Sequence, residues 1–113
     1  MRSPFTNEGK AGGIVYNITI KVESAIADQW LIWLKEEHIP AVMDTNCFTG
    51  FRVVKLMEVD DTDGPTYAVQ FSAASLEEYT KYKKEFSSNL LRQSVQKWGQ
   101  QFVAFESVME VVH

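Results

Sequence analysis

Apolar and polar positions alternate from Ile14 to Val22. Ile14, Tyr16, Ile18, Ile20 and Val22 hold one parity; Val15, Asn17, Thr19 and Lys21 hold the other. A period of two with β-branched and aromatic residues predicts a strand with one buried face. The period then changes. Ile26, Trp30, Leu34 and His38 recur every four residues, and Leu31 and Trp33 widen the stripe, which predicts an amphipathic helix. Ser24 offers a hydroxyl to the first free N–H groups, and Asp28 places a negative charge at the positive end. Pro40 lacks a donor and disfavours helical geometry at Ile39, so the helix is expected to end or kink near His38 and continue briefly through Val42 and Met43. Asn46 suits a left-handed stop.

Phe48 to Val59 reads as a second strand and Thr66 to Ser72 as a third, with Tyr67, Val69 and Phe71 in phase. Asp60-Asp61-Thr62-Asp63-Gly64-Pro65 between them is a turn, so the two form a hairpin. Ser75-Leu76-Glu77-Glu78 is a capping box opening a second helix. Leu76, Tyr79, Phe86, Leu90, Leu91 and Trp98 run along it, Ser87-Ser88 invites a bend, and Gly99 is a stop. Residues 101–112 form the last strand, with Val103, Phe105, Met109 and Val111 taken as its inward parity.

The order β-α-β-β-α-β is the split β-α-β arrangement: an α+β, ferredoxin-like sandwich, a four-stranded antiparallel sheet with two helices on one face. The other face is expected to carry Val15, Asn17, Thr19 and Lys21 from the first strand, Ala68, Gln70 and Ser72 from the third, and Phe102, Ala104, Glu106, Val108 and Glu110 from the fourth. That mixture is too apolar for a comfortable water face and too polar for a dry core. A second copy of the chain packed sheet against sheet would cover it, so a homodimer is expected.

Composition narrows the picture. A chain of 113 residues with 45% apolar and 23% charged positions suits one globular domain. Residues 14–113 are assigned to it, and residues 1–13, polar and without an apolar core, read as a flexible leader rather than a secretory signal. No apolar run reaches the ~20 residues that span a bilayer. The net charge of −4 disfavours nucleic acid and anionic membranes. RNA recognition on this strand order needs stacking aromatics on the open face, whereas Tyr16, Tyr67 and Phe71 are in phase with the helix-facing core. The single cysteine, Cys47, forms no internal disulfide and points to a reducing, cytoplasmic compartment.

Three stretches are distinctive: Ile14-Val-Tyr16-Asn17-Ile-Thr, Trp30-Leu-Ile-Trp33-Leu-Lys-Glu-Glu-His38-Ile-Pro40-Ala-Val42, and Tyr67-Ala-Val-Gln70-Phe71. With Phe48, Arg52 and the run Phe102-Val-Ala-Phe105 they resemble the uncharacterised domain-of-unknown-function family 4286, from about Ile14 to the C-terminus. Asn46 departs from the glycine expected near that position, and asparagine takes the same left-handed geometry. At the level of fold the chain also resembles the dimeric α+β barrels, which include cofactor-free monooxygenases, muconolactone isomerase and haem enzymes. Fold alone is weak warrant for function.

That resemblance implies a ligand held between sheet and helices, and four residues become candidates. His38 ends the apolar stripe of the first helix. It is either a proton donor and acceptor in a pocket or a structural imidazole at the Pro40 break. Trp30 and Trp33 share a helix flank, as walls of an aromatic ligand site or as core. Arg52 would clamp an anionic group or pair with an acid such as Glu106. The acidic turn fails as a calcium loop, because alignment on Gly64 puts the first and last ligand positions on Val59 and Gln70. One cysteine and two histidines build no ordinary zinc site, and no phosphate loop, dinucleotide fingerprint or serine elbow is present, so neither metal nor cofactor is expected. The reading is a homodimeric small-ligand-binding or interaction domain without catalysis. The alternatives are a cofactor-free monooxygenase or isomerase acting on a hydrophobic small molecule, and a purely structural interaction module.

Overall fold

A computed structural model describes residues 12–113; the proposed leader falls almost wholly outside them. Strand β1 (Ile14–Val22) leads through a short 3-10 turn into helix α1 (Ala27–Trp33), a π-helical turn (Leu34–His38) and helix α2 (Ile39–Met43). Strands β2 (Gly50–Lys55) and β3 (Thr66–Ala73) follow, then α3 (Leu76–Glu85), α4 (Ser87–Trp98) and β4 (Phe102–Glu110). The strands form one antiparallel sheet in the order β2-β3-β1-β4. This is the expected ferredoxin-like α+β sandwich.

Most local signals act as read, but Ser24 caps nothing: it lies inside the 3-10 turn, and no side-chain bond caps either that turn or α1. Ser75 Oγ accepts from the Glu78 N–H at 3.3 Å at the start of α3. Asn46 takes φ 63° after α2, and Gly99 takes φ 60° after α4. The hairpin turn docks onto the end of β1. Val22 N donates to Pro65 O at 3.0 Å and Ser24 N to Asp63 O at 2.9 Å. Gly64, at φ 150°, sits so close that a Cβ there would run into the Val22 carbonyl oxygen. Near His38 the first helix changes type as it continues: regular α1 gives way to the π turn over Leu34–His38, and α2 carries on through Val42 and Met43. The Ile39 N–H reaches back five residues to Leu34 O, and Pro40, which has no N–H to give, falls in the first turn of α2. One wide turn thereby carries the helix past the proline. The second helix breaks at Phe86 (φ −124°, ψ −31°), one residue before Ser87-Ser88, and the Ser87 hydroxyl bonds back to Lys83 O at 2.8 Å.

Two expectations require correction. The second strand is shorter than Phe48–Val59, because Phe48 turns into the core and, after a last cross-strand bond from Leu56 N to Thr66 O at 2.9 Å, residues 57–59 leave for the turn. More consequentially, β4 sits in the opposite phase. Ile18 pairs with Glu106, Ile20 with Ala104 and Val22 with Phe102, so Phe102, Ala104, Glu106, Val108 and Glu110 share the helix side of the sheet. Val103, Phe105, Ser107 and Met109 lie on the open face. Both phases of this strand are apolar enough to be the inner one, and pattern alone misassigns it. Its pairing with β1 decides.

The core lies between sheet and helices around Tyr16, Ile20, Val22, Trp30, Leu34, Val42, Phe48, Val69 and Phe71, all buried. On the open face a hydrogen-bonded row crosses three strands. Arg52 Nε and Nη2 both donate to Gln70 Oε1 at 3.2 Å, Gln70 Nε2 donates to Asn17 Oδ1 at 3.1 Å, and Asn17 Nδ2 donates to Thr19 Oγ1 at 3.1 Å. Beside that row stand Val103 and Phe105, 56% and 69% exposed.

Candidate functional site

Helix α4 stands off the sheet and leaves a cavity of about 240 Å³ over β1 and β4. Its floor is Ile18 and Ile20 of β1 with Phe102 and Ala104 of β4, and its roof is Leu90, Leu91 and Ser94 of α4. Tyr16, Phe71 and Tyr82 form an aromatic wall. Alternation in β1 puts Tyr16, Ile18 and Ile20 on this side. The break at Phe86 turns Ser87 and Ser88 towards the same space.

A polar group closes one end. The Tyr16 hydroxyl donates to Glu106 Oε2 at 2.8 Å, and Lys83 Nζ donates to Glu106 Oε1 at 2.9 Å. Burial alone would raise the Glu106 carboxyl, but the bonds from Lys83 and Tyr16 outweigh it and hold the group below its ordinary value. Burial, and then the neighbouring carboxylate, push the Tyr16 phenol well above its usual range, so it stays a neutral donor. Tyr82 is raised as well, first by burial.

His38 also lines this cavity. Its ring stacks on Trp33, centroids 4.9 Å apart, and Trp33 in turn meets Trp98 edge-on at 5.9 Å, at the C-terminal end of α4. Burial lowers its pKa to about 4, so at neutral pH it is an uncharged imidazole with one donor and one acceptor nitrogen. His38 is the last residue of the π turn.

Of the four residues singled out from sequence, only His38 lines the cavity. Trp33 supports it from behind. Trp30, 2% exposed, packs on Tyr67 with centroids 5.6 Å apart and belongs to the core. Arg52 lies on the opposite face of the sheet, bonded to Gln70, and is therefore not paired with Glu106 as one reading supposed. Tyr16, Lys83 and Glu106 escaped the sequence reading. Tyr16 looked like plain core, and Glu106 was assigned to the wrong face. The available signal was Lys83 on a helix due to pass over the last strand.

Across residues 13–112 the chain matches the model of the DUF4286 family, a domain of unknown function, and it belongs to that family. No curated protein sequence matches it. Similar folds occur in solved structures. A dimeric ferredoxin-like protein from an uncultured marine organism has a TM-score of 0.71 at 7% identity, over 89% of this chain and 96% of its own. An EthD-like protein from Ralstonia eutropha scores 0.65 at 14% identity, over 91% and 95%. SnoaB, a cofactor-independent oxygenase from Streptomyces nogalater, scores 0.60 at 9% identity, over 88% and 92%. At such identities the likeness is one of fold. Among the described residues no helix is long and apolar enough to cross a membrane, and no three His, Cys, Asp or Glu side chains converge as metal ligands.

Proposed function

We propose that this chain is a homodimeric small-molecule-binding protein, built as a dimeric α+β barrel, that takes a hydrophobic compound into the cavity beneath α4. The cavity itself carries the reading: apolar floor and roof, an aromatic wall, and a few polar groups turned inwards, the composition of small-molecule sites. Its 240 Å³ lies just below the usual range of ~300–1,000 Å³, which suits a compound of one or two rings. The dimer is supported by the exposed apolar residues beside the Arg52–Gln70–Asn17 row and by the dimeric relative in fold. Cys47, buried and unpaired, suits a cytoplasmic location.

The test is a fragment screen by ligand-observed NMR, run in parallel on the Ala104→Phe variant. Ala104 is exposed at the cavity floor, so the larger ring blocks the space without disturbing the core. Hits that bind the native chain and not the variant support the reading. Hits indifferent to the plug, or none, refute it.

A second reading, a cofactor-free oxygenase or isomerase, draws on one observation. A neutral imidazole and a carboxylate-bound phenol face one apolar space, a pair able to take and return a proton. Oxygen uptake or double-bond shift on a bound fragment, abolished by His38→Phe, would favour it.

A further inference from the structure

Burial separates the polar side chains that line the cavity. The side chains of Lys83 and Glu106 are 36% and 46% exposed, Ser88 is exposed, and His38, Ser87 and Ser94 are half-buried. Solvent already reaches these groups, so a ligand oxygen would largely exchange one bond for another on them. Tyr16 and Tyr82 are buried, each 4% exposed. Tyr16 gives its proton to Glu106. Tyr82 differs, because no hydrogen bond among the described residues engages its hydroxyl. The indole N–H of Trp98 is the one unpartnered polar side-chain atom fully sealed in among the described residues. The Tyr82 hydroxyl is therefore reachable, and the space its side chain lines is this cavity.

The Tyr82 ring is held before anything binds. Phe48 meets it edge-on with centroids 4.9 Å apart, Tyr16 lies at 5.8 Å and Phe86 stacks at 6.5 Å, so little ordering is left to a ligand. Burial first, and then the charge of Glu106, keep the group a neutral phenol, with one proton to give and lone pairs to receive with. A buried hydroxyl with no partner in the fold calls for one from outside it.

Resting on the ligand-binding reading above, we infer that Tyr82 is the polar anchor of the cavity, and that the ligand is an uncharged ring compound whose oxygen bonds to the Tyr82 hydroxyl, in preference to a plain hydrocarbon. Phenol and ketone oxygens both fit, because that hydroxyl gives and accepts. Glu106 and Lys83 match one another at 2.9 Å, which leaves no net charge there to draw in an ion. The rings of the ligand lie against Ile18, Ile20 and Leu90.

The experiment titrates the full chain and its Tyr82→Phe variant with 2-naphthol and with 2-methylnaphthalene, which carries a methyl group in place of the hydroxyl, followed by backbone amide shifts in two-dimensional NMR. Both compounds should shift residues of β1, β4 and α4 in the native chain, the naphthol binding about five- to tenfold more tightly, the factor that one hydrogen bond supplies. In Tyr82→Phe that preference should vanish or reverse, because the naphthol then gives up its water without a replacement, while the methyl compound binds as before. The thermal midpoint of the variant should equal or exceed the native one, since no bond within the fold is removed. A naphthol preference that survives in Tyr82→Phe, equal binding of the two compounds by the native chain, or a marked drop in the variant's midpoint overturns the anchor and leaves the binding reading standing. Failure of both compounds to shift cavity residues of the native chain overturns both.

Discussion

Tyr16 and Glu106 are bonded on a diagonal. In the β1–β4 ladder Tyr16 pairs with Val108 and Glu106 with Ile18, yet the Tyr16 hydroxyl reaches Glu106 Oε2 at 2.8 Å. The bond ties an edge strand to the buried ring of Tyr16, which also packs on Tyr79 and Tyr82 with centroids 5.3 and 5.8 Å away. Tyr16→Phe keeps that packing and removes one charge-assisted bond. A loss of about 1–2 kcal/mol in urea denaturation is expected. The Glu106 carboxyl, held down by Lys83 and Tyr16, should move up in the variant. A group depressed in the folded state stabilises above its unfolded value and loses that contribution as the pH falls through its folded value. Native stability should therefore decline more steeply in acid than that of Tyr16→Phe.

His38 supplies a separate pH signature. Burial lowers it from 6.5 to about 4, so the folded state binds fewer protons than the unfolded chain between those values. Stability is complete above pH 6.5, falls as the pH drops towards 4, and levels off below. The shift corresponds to about 3 kcal/mol at most. His38→Phe retains the stack on Trp33 and removes the titration. The difference in unfolding free energy between native and variant, measured from pH 7 to pH 4, should move by ~2–3 kcal/mol. A flat difference would show that the imidazole is not held neutral in the cavity.

The sequence made the architecture legible because each boundary had its own chemistry: alternation in β1, the Ser75 cap, the turn at Gly64, left-handed Asn46 and Gly99. The site was only half legible. His38 could be found because it continues a stripe of period four past an apolar run. The π turn over Leu34–His38 that precedes Pro40 has no spacing signal in the residues. Glu106 was lost through β4. Phe102, Ala104 and Val108 compete there with Val103, Phe105 and Met109 for the inner face, and one residue of register exchanges every side chain. Only pairing with β1, a contact nearly ninety positions away in sequence, resolves the choice.

Trp30 separates packing from binding. It is 2% exposed against Tyr67 and lies outside the cavity lining. Trp30→Ala should cost ~3–5 kcal/mol by opening the core while the remaining folded protein binds cavity ligands with unchanged affinity. Thermal denaturation and titration of the same sample check both halves. Lost binding with stability intact would place Trp30 in a ligand site after all.

Phe105 tests the assembly. It stands opposite Thr19 on the open face and is 69% exposed in the single chain, so its own fold gains little from the ring. A sheet-to-sheet dimer would bury it near the centre, among Val15, Val103 and Met109, where a large aromatic carries a disproportionate share of affinity. Phe105→Lys would bring a charge into that apolar centre and weaken association by at least about thirtyfold. Leu76→Lys, at a residue 58% exposed on α3, adds the same charge on the far side of the molecule and should leave the dimer alone. Sedimentation velocity across a concentration series distinguishes the cases. A native chain that sediments as a monomer throughout, or two variants equally disrupted, would remove the open face as the contact. A monomer from Phe105→Lys alone, with circular dichroism unchanged, would establish it, because only docking and not folding depends on that side chain.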